Sequence, residues 1–213
     1  KNLYVLPGGM LTHSGPQSSE TDKLELTVFG DVGVDVNASI DVSSKGYPIR
    51  SGPGQVIPGD GSSSYGGRGW AGDECYGSIL APTNIGSGGR ESYGGGAIRL
   101  TAFGTIRNDG AIRSDAGNTL WGGGSGGSIW LTSGRLVGAG VIRAFGAYAA
   151  ADPGRAAGGG RISLVVTNMG ADFSGFSGTV LALGGGGVAG APGTIFYKRW
   201  SDRPGRGTVW LNN

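Results

Sequence analysis

The chain has 213 residues, 48 of them glycine, with 17 basic against 15 acidic side chains for a net charge of +2. The length suits one domain or one compact array with a continuous core, and so even a charge balance argues against a dedicated nucleic-acid binder. Glycine at this level without a Gly-X-Y period points towards low complexity, but the regularly placed aliphatic strands described next set the chain apart from a disordered linker.

Residues 1–22 begin with the apolar run NLYVL and a PGG turn, and read as an opening strand and cap over one end of a stack. The first residue is Lys, so the chain reads as a mature or excised piece, and no transmembrane span or secretory signal is legible. The lone histidine, His13, lies near a turn and reads as structural. Residues 23–46 form a first coil. Leu24, Leu26 and Val28 share one parity of KLELTVFG, and a second short strand, SIDV, follows at 39–42. Alternation of this kind means one buried and one wet face.

Residues 47–95 break the pattern with a long insertion rich in Gly and Tyr. It gathers Tyr47, Tyr65, Trp70, Tyr76 and Tyr93 beside Arg50, Arg68, Arg90, Glu74 and Glu91. Two readings are open. The rings fold back as a lid over the coil face, or they form a sugar-recognition surface in which aromatic faces stack on pyranoses. The single cysteine, Cys75, excludes an intramolecular disulfide framework and reads as a small buried residue.

Residues 96–213 are repeated coils. AIRLTAFG at 97–104 returns as SIWLTSGR at 128–135, RISLVVTN at 161–168 and TIFYKR at 194–199. The markers Leu100, Leu131, Leu164 and Tyr197 are spaced by 131 − 100 = 31, 164 − 131 = 33 and 197 − 164 = 33 residues. A second short strand follows each copy, and Ile40, Ile112, Ile142, Val180 and Val209 fill its equivalent position. Self-similarity at such a period signals a stacked array. The connecting loops leave at the same point of successive coils, which is expected to bring Trp121 and Tyr148 beside Trp70.

Chemistry is sparse. The glycine strings follow no strand-to-helix pattern and lack a P-loop lysine, and no aspartate supplies the ligand of a calcium-binding nonapeptide. His13 has no serine elbow around it. The carboxylate pairs Asp73/Glu74 and Asp109/Asp115 lie on extended chain or turns, where neighbours diverge or cap backbone. No catalytic residue, metal site or cofactor is therefore expected, and the balance leans away from an enzyme. The candidate carbohydrate-binding residues are Tyr65, Trp70, Tyr76, Tyr93, Trp121 and Tyr148. The position after each stacked Ile reads Asp41, Arg113, Arg143, Leu181 and Trp210. Arg113 and Arg143 would stand about 4.8 Å apart in adjacent coils, a candidate contact for an anionic polymer unless Asp41 and loop acids such as Asp109 neutralise them.

The pattern GGGAIRLTAFGTIRNDGAIRSDAG, with its later copies and the preceding GRGWAGDECYGSILAPTNIGSGG, resembles the Gly-rich repeats of large secreted or cell-surface proteins of bacteria and protists. The similarity covers roughly residues 24–198 and is also similar, more loosely, to parallel β-helices. It implies an all-β parallel β-solenoid (β-helix) of about four to five irregular Gly-rich coils with one long loop insertion. The function expected is an extracellular or cell-surface structural or adhesive module of a filament or surface assembly. Its partners would be copies of itself or other surface proteins, with polysaccharide as the alternative ligand and neither nucleic acid nor membrane insertion. A carbohydrate-binding module of a polysaccharide-processing protein is the second reading, and a lyase or hydrolase the third.

Overall fold

The structure is a computed structural model, and it describes residues 1–55, 61–72, 74–152, 154–186 and 190–211. Among these residues there are strands but no helix. In chain order they are β1 (Leu3–Val5), β2 (Met10–Leu11), β3 (Leu24–Val28), β4 (Val32–Val34), β5 (Ser39–Asp41), β6 (Ala97–Asn108) and β7 (Ala111–Arg113), followed by β8 (Ser128–Val137), β9 (Val141–Arg143), β10 (Arg161–Val166), β11 (Thr179–Leu181), β12 (Thr194–Lys198) and β13 (Thr208–Trp210). One sheet of eight strands runs β1-β4-β6-β8-β10-β12-β13, with β3 also paired to β6. A second sheet of five runs β11-β9-β7-β5-β2.

The repeat fixes the register. Leu24, Ile98, Ile129, Ile162 and Ile195 pair in a row across the first sheet, as do Leu26, Leu100, Leu131, Leu164 and Tyr197. In the second sheet Leu11, Ile40, Ile112, Ile142 and Val180 pair in turn. The inward rows of both sheets merge into one buried aliphatic cluster. Each fully buried aliphatic side chain contributes about 1.5–3 kcal/mol, so the spacing of 31 and 33 residues is what aligns like with like.

The expected β-solenoid is not what the chain forms. The two sheets are open, and their pairing is mixed, because β13 runs antiparallel to β12. Val209 therefore does not continue the Ile40–Val180 row; it pairs with Phe196 in the first sheet. The chain reverses over 199–207, where Gly205 takes a positive φ of 70° and the Arg206 amide donates to the Arg203 carbonyl at 2.9 Å. The segments that return from the second sheet to the first also lack strand structure. They are glycine- and serine-rich, and among the described residues no third sheet closes the coil.

Those segments form a layer held by backbone contacts. Gly86 N donates to Gly95 O, Gly95 N to Ser125 O, Gly126 N to Gly158 O and Gly159 N to Ala191 O, at 2.8, 3.0, 3.1 and 3.0 Å. The glycines just ahead of β8, β10 and β12 show why side chains are missing. A Cβ on Gly127 would overlap the Gly96 carbonyl, one on Gly160 the Gly127 carbonyl, and one on Gly193 the Gly160 carbonyl. The carbonyls so protected accept the amides of Ser128, Arg161 and Thr194 at 3.0, 2.9 and 3.1 Å, starting each strand in register.

The described residues of the long insertion carry no strand, yet many of them are inside. Ser62, Ser63, Ser64, Tyr65 and Ile85 are all buried. Ser63 Oγ donates to Ser87 O at 2.7 Å and accepts from Ser125 N at 2.8 Å, while Ser125 Oγ accepts from Ser87 N at 2.9 Å. Residues 76–85 cross the outer face of the first sheet, where Ser163 Oγ donates to Leu80 O at 2.7 Å and Arg161 Nε to Tyr76 O at 2.9 Å. Asp73 lies outside the described residues.

Candidate functional site

The six aromatic candidates divide into two groups. Tyr65 is wholly buried, and its hydroxyl sits 2.6 Å from Ser128 Oγ, which itself donates to the Asn84 carbonyl. Its ring packs against that of Tyr76 at 4.6 Å and under the guanidinium of Arg161 at 5.4 Å. Tyr76 donates to Ile85 O at 2.7 Å. Burial pushes the Tyr65 phenol up to about 12 and the Tyr76 phenol well above its usual value, so both hydroxyls stay protonated as donors. These two rings hold the insertion onto the sheet and offer no free face.

Trp70, Tyr93, Trp121 and Tyr148 are exposed. Their backbones lie on segments that meet at the rim of the glycine–serine layer. Ser62 N donates to Trp70 O at 3.1 Å and Ser62 Oγ accepts from Gly123 N at 3.0 Å, while Thr119 and Ala149 form an isolated bridge. One face of the Trp70 ring is taken by Arg155 at 4.5 Å, which also pairs with Asp152 at 2.9 Å. Trp121 is positioned by its amide, which donates to Glu91 Oε2 at 3.2 Å.

Tyr148 differs from the other three because it lines a groove of about 610 Å³ on the outer face of the second sheet, together with Asp41, Ser43, Arg113, Asp115, Asn118, Arg143 and Phe145. The structure thus brings Arg113 and Arg143 into one site with an exposed aromatic ring. Since β5, β7 and β9 pair in register, Asp41, Arg113 and Arg143 form a row one residue past the buried Ile ladder. A second row, Ser43, Asp115 and Phe145, lies two residues further on, tied by Asp115 N to Ser43 Oγ at 3.1 Å and Phe145 N to Asp115 Oδ1 at 2.9 Å.

Each arginine of the groove faces a carboxylate, Arg113 to Asp41 at 3.5 Å and Arg143 to Asp115 at 2.7 Å. Asp109, an acid considered for this role, instead meets Arg107 and the Ala139 amide. Arg143 is held further by Phe145, whose ring lies 4.9 Å from the guanidinium carbon. Burial pushes the Asp115 carboxyl above the usual carboxylate range, against the Phe145 amide and Arg143, which pull it down. Arg113 is the looser of the two, and its Nε is buried without a hydrogen-bond partner.

The second row also has a signal in the sequence. Continuing the period-2 alternation from Ile40, Ile112 and Ile142 past the strand ends reaches Ser43, Asp115 and Phe145 on the same outer face. Among the described residues no group of three His, Cys, Asp or Glu side chains converges as a metal site, and no helix is long and apolar enough to cross a membrane. Compared with family models, curated proteins and solved structures, the chain finds no match.

Proposed function

We propose that the chain is a self-associating structural or adhesive module of an extracellular or cell-surface assembly, in which copies join end to end. The observation that carries this reading is a pair of sheet ends with complementary character. At one end the edge strands β1 and β2 present Tyr4 and Met10 to solvent, with Leu6 exposed in the turn between them. At the other, every residue of β13 is exposed, Trp210 at 57%, and so is Leu211 just after it, at 67%. Exposed strand edges template pairing with another chain.

Charge favours head-to-tail over head-to-head contact. Residues 1–36 carry Lys1 and Lys23 against Glu20, Asp22, Glu25, Asp31 and Asp35. Residues 194–211 carry Lys198, Arg199, Arg203 and Arg206 against Asp202. A heterologous contact of this type repeats without closing and generates a filament. The resemblance of the repeat to those of large surface proteins points the same way.

Scattering and negative-stain microscopy over a concentration series test the idea. End-to-end lengthening is expected at low salt, with loss of most assembly in the double variant Arg199→Glu, Arg203→Glu. A chain that stays monomeric at every concentration and salt would overturn the proposal, as would assembly indifferent to the charge reversal.

A further inference from the structure

We propose that the groove on the outer face of the five-stranded sheet is a binding site for a neutral, hydroxyl-rich ligand, an uncharged oligosaccharide segment. Its lining includes none of the charged residues invoked for the end contact, neither Arg199 nor Arg203, so it can be tested separately from end-to-end assembly. Its floor is a mixed lattice of donors and acceptors. Asp41 and Asp115 accept, Arg113 and Arg143 donate, and Ser43 and Asn118 can do either.

Because both guanidiniums already face carboxylates, the floor has no surplus positive charge for an anionic polymer. Such a polymer would bring its charges against Asp41 and Asp115 as well as to the arginines. A pyranose carrying adjacent hydroxyls suits the lattice better, since each hydroxyl can donate to a carboxylate and accept from a guanidinium at once. Volume agrees, because about 610 Å³ falls within the ~300–1,000 Å³ of small-molecule sites.

Two features make Arg113 the centre of recognition. Its Nε is buried without a partner, a costly state that a turn of the head onto a ligand oxygen would relieve. Its contact with Asp41 is long at 3.5 Å, so the head can turn towards a ligand, whereas Arg143 is locked by Asp115 and Phe145. Tyr148, 44% exposed at the wall, supplies the flat apolar face on which the C–H side of a sugar ring packs.

Affinity electrophoresis and calorimetry on the whole chain would use a β-glucan, a xylan, a galactomannan and a mannan as neutral probes, with polygalacturonate and dextran sulfate as anionic ones. Binding of at least one neutral polymer is expected, surviving about 0.5 M salt because it does not rest on net charge. Arg113→Gln and Tyr148→Ala should each weaken it about tenfold or more, with circular dichroism and melting temperature unchanged. The charge-reversed end variant Arg199→Glu, Arg203→Glu should bind as the parent does. No binding of any neutral probe would overturn the proposal. So would binding untouched by both groove variants, or retention of the anionic probes alone that vanishes with salt.

Discussion

The two sheets and the glycine–serine layer grow from the same repeat, yet they cohere by opposite means. In the sheets, each strand presents an aliphatic row, and Leu100, Leu131 and Leu164 stack through their side chains inside. In the layer, the glycine positions carry no side chain so that backbones can touch, and Gly127 and Gly160 lie directly against carbonyls of the neighbouring segments. A sheet position is filled by adding the right volume, whereas a layer position is filled by having none. The same unit therefore tolerates change very differently along its length.

The sharpest way to break that comparison is Gly160→Ala. The new Cβ would collide with the Gly127 carbonyl and the Ala144 methyl, backbone and core atoms that cannot swing aside. A loss above about 4 kcal/mol is expected, the range reserved for severe steric or core damage, read from a denaturant midpoint or from failure to fold. Gly170→Ala is the control. Gly170, unlike Gly160, has a positive φ, 73°, and open space around it, so strain alone should cost about 1–2 kcal/mol. If the two variants unfold at the same midpoint, the layer is not close-packed.

Leu131→Ala sharpens the other side of the comparison. Leu131 is buried between Leu100 and Leu164, and truncation there should cost about 2–5 kcal/mol through lost transfer energy and a residual cavity. Thermal or chemical denaturation measures it. Adding one carbon to the layer should thus cost at least as much as removing three from the core.

This contrast also explains what could be read from the residues. The aliphatic rows were legible because period-2 alternation and a spacing near 33 leave a strong hydrophobic pattern. The layer left none, since glycine has no side chain to reveal which face is buried, and so nothing in residues 62–65 chooses between a lid and a sugar surface, although they lie inside. The antiparallel β13 was masked by the likeness of TVWL to the earlier second strands. Its real signal was the Pro204–Gly205 turn, which needs only a short reversal between Tyr197 and Thr208. In the groove, Arg113 and Arg143 follow the buried Ile of their strands and Tyr148 lies on a repeated loop, so the pattern marks them, whereas Asp115 and Phe145 lie past the strand ends, where only the continued parity carries the signal.

The smallest expected effect concerns the seam where the opening segment meets the layer. His13 is half-buried, with Nδ1 donating to the Ser14 carbonyl and Nε2 buried against Gly96 without a partner. Protonation would place an unpaired N–H and a charge at that contact, and burial accordingly holds the His13 pKa below 6.5. Lys45 adds to the lowering, while the Ser14 carbonyl and Asp22 oppose it. With the folded value depressed, the unfolded chain binds the proton first as pH falls. The contribution is therefore complete above about 6.5 and is lost as pH drops through that value towards the lower folded one. Melting curves between about pH 7.5 and pH 5 should show a smaller drop in His13→Phe than in the parent. An equal drop in both would place the pH response elsewhere than His13.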